Sequence, residues 1–423
     1  MFCLMAITAD SEDMQIHRET ILSELKRRFS EDGIEVSEEL QNVILSDLVE
    51  AHCQSKSQIQ TNEIDAMLDD ISHRPIGVAN TSFKVCVMGG GAFGTAMACA
   101  LARRGHHVTI LMLPDEAKHA ENINKVHKNS MCFADVILPA SIKASTNAED
   151  ALADASLVFH AIPVQYSRKY LQKVKKHIPQ SCPIISVSKG ISMDTLSFMD
   201  DILREELGDA HPLAFVAGPS FAIGIIQGEP TWCTLAASDV NTARSVQKLI
   251  SSSTFRTYYT TDVVGLEACS ALKNVLSILC GMSLALGHSP NTTNGLLTRA
   301  WADLRLLVIG LGGRSETMSA LCGIGDLMLT CYGGLSRNAK FGQLLAEGLT
   351  IEKALEGAGG VVEGLPTSKA VQKLAEKLKI KIPVLNSVAL LLDGKLTPRD
   401  MVTYVMTLPL SEEFPGLPAL SLA

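Results

Sequence analysis

The pattern of apolar and polar positions changes near residue 83. From there, short apolar runs alternate with segments in which apolar residues recur at helical spacing. Several runs are apolar at consecutive positions, which is typical of strands that are covered on both faces. The alternation predicts an α/β domain with a doubly wound parallel sheet of the Rossmann type. The predicted strands are Lys84–Met88, Val108–Leu113, Leu157–Pro163, Ile184–Val187, Leu213–Ala217 and Thr231–Ala237, with helix-like stretches such as Thr95–Arg104 and Arg168–His177 between them.

The strand pattern stops near residue 264. The chain beyond it is helical in pattern and contains long apolar stretches such as Ala271–Leu286 and Asn294–Leu311. We therefore predict an all-α domain after the Rossmann-type domain, with the boundary at this change of pattern. The predicted parts are an acidic helical extension over 1–82, a dinucleotide-binding domain over 83–264, an all-helical substrate and catalytic domain over 265–408, and a tail over 409–423.

Charge is unevenly distributed along the chain. Residues 1–82 hold 16 acidic and 6 basic side chains, so the rest of the chain is close to neutral within the total of −8. Leu40, Val43, Ile44 and Leu48 follow helical spacing in this acidic part. It is either a helical extension that packs on the body or on a partner, or a regulatory or docking segment, and its sequence does not choose between them.

Composition excludes several classes of function. The negative net charge argues against nucleic-acid binding, which needs a basic surface. No apolar run approaches the roughly 18–20 residues needed to cross a bilayer. The cysteines form no C-x-x-C pair and no close cluster with histidine, so we predict no metal site.

A glycine-rich turn follows the first predicted strand. Gly89, Gly91 and Gly94 give the spacing G-x-G-x-x-G before an alanine-rich helix. The first glycine allows a tight turn, the second lets the backbone approach a pyrophosphate, and the third lets helix and strand pack closely. Strand, glycines, helix and second strand come in the order of a dinucleotide site, although a turn needed only for packing is the alternative. Asp115 follows the second strand and either binds the ribose or is a solvated loop acid.

Lys273 and Asn274 lie in a predicted helix that is apolar on nearly every side. A buried lysine is costly unless it is paired or takes part in chemistry, and burial lowers its pKa toward neutrality. It could therefore transfer a proton, or its stem could be buried while the ammonium reaches solvent.

Three other polar segments allow both a functional and a structural interpretation. The triplet 336–338 lies in a glycine-flanked loop, where Arg337 could bind a phosphate, or Ser336 or Asn338 could simply cap a helix. The segment 218–222 follows a strand and could offer N–H groups to an anion, or be a plain turn. Lys189 follows a strand at the sheet edge where open α/β sheets bind ligands, or is an exposed loop lysine.

Taken together and in this order, these segments resemble the glycerol-3-phosphate dehydrogenase family. The resemblance covers about residues 83–408 and is closest to the bacterial and plastid branch. The matching segments are GGGAFGTA from Gly89, HAIPVQ from His160, SVSKGI from Ser186, AGPSFA from Ala217, ALKN from Ala271, LLTRA from Leu296, GIGDLMLTC from Gly323, LSRNAKFG from Leu335 and VVEG from Val361.

The resemblance implies a role for each matching residue. It makes Lys273 the acid–base residue, with Lys189 and Asp326 beside the reacting centre. The cofactor would be bound by Gly89, Gly91, Ala92, Phe93, Gly94, Lys189, Ala222, Arg337 and Glu363. The substrate would be bound by Lys189, Gly218, Ser220, Lys273, Asn274, Ser336, Arg337 and Asn338.

The resemblance also implies the reaction and its context. The reaction would be hydride transfer between NADH and dihydroxyacetone phosphate, giving sn-glycerol 3-phosphate for glycerolipid synthesis. Leu113 stands where many members carry an arginine, which favours NAD and leaves NADP open. We expect a homodimer in the cytoplasm, with the plastid stroma as the alternative compartment. Two other functions stay open, a β-hydroxyacid type dehydrogenase of similar architecture and a non-catalytic NAD(H)-binding sensor.

Overall fold

The structure is a computed structural model that describes residues 82–413. The predicted helical extension and the last residues of the predicted tail lie outside this range. Within it, the last strand ends at Thr260 and the first long helix of the helical part begins at Val263, close to the predicted change of architecture. The division into separate folding domains stays a prediction.

One eight-stranded sheet forms the first part of the described chain. Its order is β3-β2-β1-β4-β5-β6-β7-β8, and neighbouring strands are parallel except β6 and β7, which are antiparallel. The predicted Rossmann-type α/β fold is confirmed. The strands are β1 Lys84–Met88, β2 His107–Leu111, β3 Ile142–Ser145, β4 Leu157–His160, β5 Ile184–Ser186, β6 Leu213–Ala217, β7 Thr231–Ala236 and β8 Phe255–Thr260.

Sequence analysis missed the two strands at the edges of the sheet, β3 and β8. The central strands β4, β5 and β6 are buried at every position, whereas β3 and β8 alternate between buried and exposed residues. A search for consecutive apolar residues finds strands that are covered on both faces and overlooks half-exposed edge strands.

Helices cover both faces of the sheet. Val85 and Val87 of β1 pack into the core on one face, and Cys86 and Met88 pack into the core on the other, as the two-residue period of a strand requires. The helices are α1 Ala92–Arg103, α2 Ala117–Val126, α3 Ala148–Leu152, α4 Val164–Val174, α5 Met199–Leu207, α6 Ala222–Gln227 and α7 Val240–Ile250.

The remainder of the described chain is helical and is built around one central helix, α8. Gly281 of α8 and Gly342 of α11 mark a close crossing of two helices. A Cβ atom at Gly342 would lie 2.1 Å from the carbonyl oxygen of Ile278, so only glycine fits there. The helices are α8 Val263–Ala285, α9 Pro290–Gly310, α10 Asp326–Tyr332, α11 Arg337–Ala346, α12 Ile351–Ala358, α13 Gly364–Leu378, α14 Pro383–Leu392 and α15 Asp400–Met406.

Within residues 82–413, only α8 has the length and apolar composition that a membrane-crossing helix would need. In its most apolar stretch, 94% of the residues are buried inside the protein. The sequence analysis found no run of this length because Glu267, Lys273 and Asn274 interrupt the apolar pattern. The core helix of a folded protein passes the same test of length and composition, so α8 is weak evidence for a membrane span.

Candidate active site

A cleft of about 300 Å³ lies between the sheet and the helices of the second part. The chain reaches it after β4 and β5, from the middle of α8, and at the beginnings of α10 and α11. The cleft is therefore lined by segments that are more than 100 residues apart in the sequence. Of the predicted site residues, those that line the cleft are Phe93, Lys189, Ser220, Lys273, Asn274, Asp326, Ser336, Arg337, Asn338 and Glu363.

Two lysines share one carboxylate at the base of this cleft. Lys273 Nζ lies 2.6 Å from Asp326 Oδ1, and Lys189 Nζ lies 2.8 Å from Asp326 Oδ2. Lys273 and Asp326 are almost fully buried, while the side chain of Lys189 is 23% exposed. Two ammonium groups and one carboxylate leave the cluster with a net positive charge when all three are ionised, so it favours a ligand that is or becomes negative.

The environment of Lys273 brings its pKa close to neutrality. Burial is the main cause and lowers the pKa to about 8, and the positive charge of Lys189 acts in the same direction. The carboxylate of Asp326 opposes both by stabilising the ammonium form. At physiological pH this lysine is therefore able both to donate and to accept a proton.

Thr330 and Ser277 belong to this cluster, and sequence analysis did not single them out. Thr330 lies one helical turn after Asp326 on α10, accepts a short hydrogen bond from Lys273 Nζ and donates to the carbonyl oxygen of Asp326 at 2.6 Å. Ser277 lies one turn after Lys273 on α8 and contacts Ser336 Oγ at 2.9 Å. The signal available in the sequence was the spacing of four residues from each predicted catalytic side chain.

The loop before α11 and the beginning of that helix form one wall of the cleft. Ser336 caps α11 by accepting from the backbone N–H of Ala339 at 3.2 Å, as the structural interpretation of this residue expected. Asn338 uses its carbonyl oxygen to accept from the N–H of Gly364 at 2.8 Å, which leaves its amide N–H groups for a ligand. Arg337 is exposed and makes no hydrogen bond or ion pair with any residue of the described range, so its guanidinium is available to an anion.

Glu363 and Asn274 complete this wall. Burial raises the pKa of Glu363, and the nearby charge of Arg337 acts in the opposite direction. Asn274 is buried and lines the cleft, and its side chain has no hydrogen-bond partner among residues 82–413. Its amide is thus open to a polar ligand in the cleft.

The glycine-rich turn lies at the carboxyl end of β1 and fits a dinucleotide. Gly89 has a φ of +109°, and a Cβ atom at Gly94 would lie 2.1 Å from the carbonyl oxygen of Gly89, so packing explains these two glycines. A Cβ atom at Gly91, the second glycine of the motif, would meet nothing within 4 Å, so packing within the protein does not explain why this position is glycine. Gly91 and Ala92 are exposed at the start of α1, whose N-terminus has no side-chain cap and leaves N–H groups for an anion.

A buried asparagine that sequence analysis missed holds this turn in place. Asn129 donates from Nδ2 to the carbonyl oxygen of Gly90 and to Thr95 Oγ1, both at 2.8 Å. Thr95 in turn donates to the same carbonyl oxygen at 3.2 Å. Asn129 lies in an irregular segment between α2 and β3, where nothing in the sequence distinguishes it from an ordinary turn residue.

Only part of the segment after β6 lines the cleft. A Cβ atom at Gly218 would lie 2.8 Å from the Cα atom of Cys233, so this glycine allows β6 and β7 to approach closely. Ser220 lines the cleft and donates to the carbonyl oxygen of Gly218 at 2.9 Å. Ala222 begins α6 and packs partly against the sheet core, outside the lining of the cleft. Contact of Gly218 with substrate and of Ala222 with cofactor stays a prediction.

Asp115, the candidate for the ribose, lies in a short 3-10 turn after β2 and is exposed. In the same turn, Glu116 rather than Asp115 accepts from the backbone N–H of Leu113, at 2.9 Å. The carboxylate of Asp115 is therefore open to a ligand or to solvent, and both interpretations stay open.

Comparison with known proteins identifies the family. Models of the N-terminal and C-terminal parts of NAD-dependent glycerol-3-phosphate dehydrogenase match residues 84–243 and 262–403. A chloroplastic NAD+ glycerol-3-phosphate dehydrogenase of rice (Oryza sativa subsp. japonica) is 39% identical over 79% of this chain and 77% of its own length. The chain belongs to the NAD-dependent glycerol-3-phosphate dehydrogenase family. It is thus an oxidoreductase, and the family resemblance seen in the sequence is confirmed.

Two further members support the assignment. The glycerol-3-phosphate dehydrogenase (NAD(P)+) of Oleidesulfovibrio alaskensis is 37% identical over 78% of this chain and 100% of its own length. The crystal structure of glycerol-3-phosphate dehydrogenase from Coxiella burnetii matches with a TM-score of 0.72 and 28% identity, over 77% of this chain and 99% of that one. NAD dependence is confirmed at the level of the family, and the comparisons give no support to a β-hydroxyacid dehydrogenase or a non-catalytic sensor.

Proposed function

We propose that this chain catalyses the reversible reduction of dihydroxyacetone phosphate to sn-glycerol 3-phosphate. The observation that carries the proposal is the buried Lys273, which has a pKa of about 8 and is bonded to Asp326 in a cleft that also contains an available arginine, Arg337. Such a cleft combines a proton donor with a site for an anion, and both are needed to reduce a phosphorylated ketone.

The residues at the end of β1 would hold the nicotinamide cofactor. The unexplained glycine at position 91 and the uncapped N-terminus of α1 suit a pyrophosphate, and Phe93 and Glu363 lie where the cofactor would enter the cleft. When bound, the cofactor supplies the hydride that is added to C2 of the ketone. The protein supplies the placement of the substrate and the charge around it.

Lys273 acts as the general acid in ketone reduction. Its ammonium donates a proton to the oxygen on C2 as negative charge develops there, and the neutral amine takes the proton back in the reverse direction. Asp326 holds the ammonium in position, and Lys189 adds a second positive charge near the oxygen. Thr330, one turn after Asp326 on the same helix, accepts a second hydrogen bond from Lys273.

The substrate phosphate would bind at the beginning of α11. Arg337 offers a forked set of donors, the amide of Asn338 offers two more, and the helix N-terminus favours negative charge. Because the phosphate is remote from C2, part of its binding energy can hold the ketone in the reacting geometry. Asn274, Ser220 and Ser336 would complete the polar lining.

Cofactor preference, assembly and compartment belong to the same proposal. The exposed Leu113 after β2 provides no cation for a 2′-phosphate, which supports NAD over NADP. We propose a homodimer that supplies a glycerolipid precursor. The compartment would be the cytoplasm, or the plastid stroma as in the relatives named chloroplastic.

The test is the loss of NADH absorbance when dihydroxyacetone phosphate is added to the purified protein, with NADPH in parallel. Lys273→Ala is expected to lower kcat about 10²- to 10⁴-fold, because it removes the general acid. Lys340→Ala, which removes an exposed lysine of α11, is the matched control and should keep full activity. Absence of turnover with either cofactor, in a protein that still binds NADH, would overturn the proposal.

A further inference from the structure

A histidine that the mechanism does not use lies beneath the cleft. His160 is the last residue of β4 and is fully buried, and its Nδ1 atom lies 3.0 Å from Ser188 Oγ. Its Nε2 atom is buried and has no hydrogen-bond partner among the described residues. An unpartnered buried nitrogen destabilises the fold, and an apolar side chain at this position would avoid that cost. The position therefore has a reason to be histidine.

The hydrogen bonds of Ser188 determine which nitrogen of the imidazole carries the proton. The Ser188 hydroxyl lies 2.7 Å from the carbonyl oxygen of Ile162, which can only accept, so the hydroxyl donates there. Its remaining capacity is to accept, and the donor is His160 Nδ1–H. Burial lowers the pKa of His160 to about 4, so the ring stays neutral with a bare Nε2. Ser188 is thereby fixed from two sides by the chain that leaves β4.

Ser188 immediately precedes Lys189, one of the two lysines that bind Asp326. Lys189 is followed by Gly190, whose φ of +133° is a conformation that residues other than glycine rarely adopt. The backbone of Lys189 thus lies between a hydrogen-bonded serine and a glycine in this conformation. This loop therefore sets the position from which the Lys189 side chain reaches Asp326, with Nζ 2.8 Å from Oδ2.

We propose that His160 and Ser188 are a pair of positioning residues that holds Lys189 against Asp326 and so keeps Lys189, Asp326 and Lys273 in reacting geometry. Neither His160 nor Ser188 hydrogen-bonds to Asp326 or Lys273 within the described residues. The pair therefore acts through the loop after β5. The proposal rests on the proposed function for its kinetic consequence, but the state of the imidazole can be measured in the protein without substrate.

Two pairs of variants separate positioning from simple packing. His160→Leu and Ser188→Ala each remove the hydrogen bond, and each is expected to lower kcat about tenfold with little change in the KM for NADH. His160→Asn and Ser188→Thr keep a donor near Nδ1 and a hydroxyl, respectively, and should restore most of the rate. Because the two residues form one unit, the double variant His160→Leu/Ser188→Ala should lose no more than either single variant.

The pH dependence gives a readout that a packing role would not move. Lys189 lowers the pKa of Lys273 by charge repulsion, so releasing Lys189 should raise the apparent pKa of kcat in Ser188→Ala and leave it unchanged in Ser188→Thr. Wild-type rate and apparent pKa in a folded His160→Leu or Ser188→Ala protein would overturn the inference. If one of these two variants fails to fold, the rate and apparent pKa of the other variant test the inference.

Nitrogen-15 NMR of histidine-labelled protein tests the pair without relying on turnover. The wild-type chain should show one histidine that stays neutral to low pH, with its proton on Nδ1, and this signal should disappear in His160→Asn. If the signal that is lost in His160→Asn has its proton on Nε2, the inference is overturned even in a fully active enzyme. Burial also lowers the pKa of His106, but this residue donates from Nε2 to the carbonyl oxygen of Leu249, and its signal remains in His160→Asn. An Nδ1–H signal in a protein that does not reduce dihydroxyacetone phosphate would contradict the proposed function and leave the pair standing.

Discussion

At the scale of single residues, the decisive feature is a lysine whose charge state is set by its neighbours. The pKa of Lys273 results from burial, which lowers it, and from the carboxylate of Asp326, which raises it. A lysine in water would stay charged far above physiological pH and could not take a proton back. The three-residue cluster therefore makes the reverse direction of the reaction accessible near neutrality.

A pH profile tests this balance. Ketone reduction needs the protonated form of Lys273, so kcat/KM is expected to fall as the pH rises through about 8, while alcohol oxidation should rise over the same range. In Asp326→Asn the main stabilisation of the ammonium is lost, so the apparent pKa should move below 8 and the rate at neutral pH should fall about 100-fold. Asp194→Asn, at an exposed position near the same loop, is the control. An unchanged apparent pKa in Asp326→Asn would contradict the assignment.

Arg337 is tested by pairing a variant with a shortened substrate. Arg337→Met should lower kcat/KM for dihydroxyacetone phosphate about 10- to 100-fold, since charge-assisted hydrogen bonds to the phosphate are lost. Unphosphorylated dihydroxyacetone should be a much poorer substrate of the wild-type enzyme, and the variant should treat it almost as the wild type does. Lys340→Met, on the same helix, controls for surface charge. Equal losses with both ketones would show that Arg337 does not bind the phosphate.

At the scale of elements, the ends of strands and helices place the chemistry. Parallel strands β1, β4 and β5 bring their carboxyl ends to one edge, and α8, α10 and α11 contribute Lys273, Asp326 and Arg337 to the cleft at that edge. Two buried carboxylates elsewhere have a structural use instead. Glu267 accepts from backbone N–H groups at the start of α5, and Asp303 accepts from those at the start of α14.

The glycine-rich turn depends on an element outside its own motif. Asn129→Ala removes two buried hydrogen bonds to the turn, each worth about 1 kcal/mol, and should raise the KM for NADH roughly 5- to 30-fold with a smaller effect on kcat. Titration of NADH binding by fluorescence measures the effect directly. Asn122→Ala, which removes only a hydrogen bond to Ser130, is the neighbouring control. If NADH binds equally tightly to both variants, Asn129 does not support the cofactor site.

At the scale of the whole molecule, the chain is longer than the bacterial relative that it matches. The bacterial relative from Oleidesulfovibrio alaskensis is matched over 100% of its length by 78% of this chain. We therefore expect a chain that begins at residue 82 to retain its kcat for ketone reduction, measured beside the full chain. Loss of activity in a truncated protein that still shows cooperative unfolding would assign residues 1–81 a part in the reaction. Gel filtration of both proteins tests the proposed homodimer.

The sequence by itself determined the fold class, the family and most of the polar residues in the cleft. Consecutive apolar runs identify the central strands because these are buried on both faces, and G-x-G-x-x-G identifies the turn because two of its glycines have no substitute there. Lys273 stands out because a lysine in an apolar helix is costly without a partner. These features depend on local sequence or on one residue's physical cost.

Only the tertiary structure decided what depends on contacts between distant segments. The partners of Lys273 lie 53 and 57 residues further along the chain. The sequence does not show that Asn129 bonds to the glycine-rich turn or that His160 bonds to Ser188. Edge strands β3 and β8 were missed because a half-exposed strand lacks a continuous apolar run. A side chain's charge state and its partners follow from burial and distance, and these are properties of the packed molecule rather than of the order of its residues.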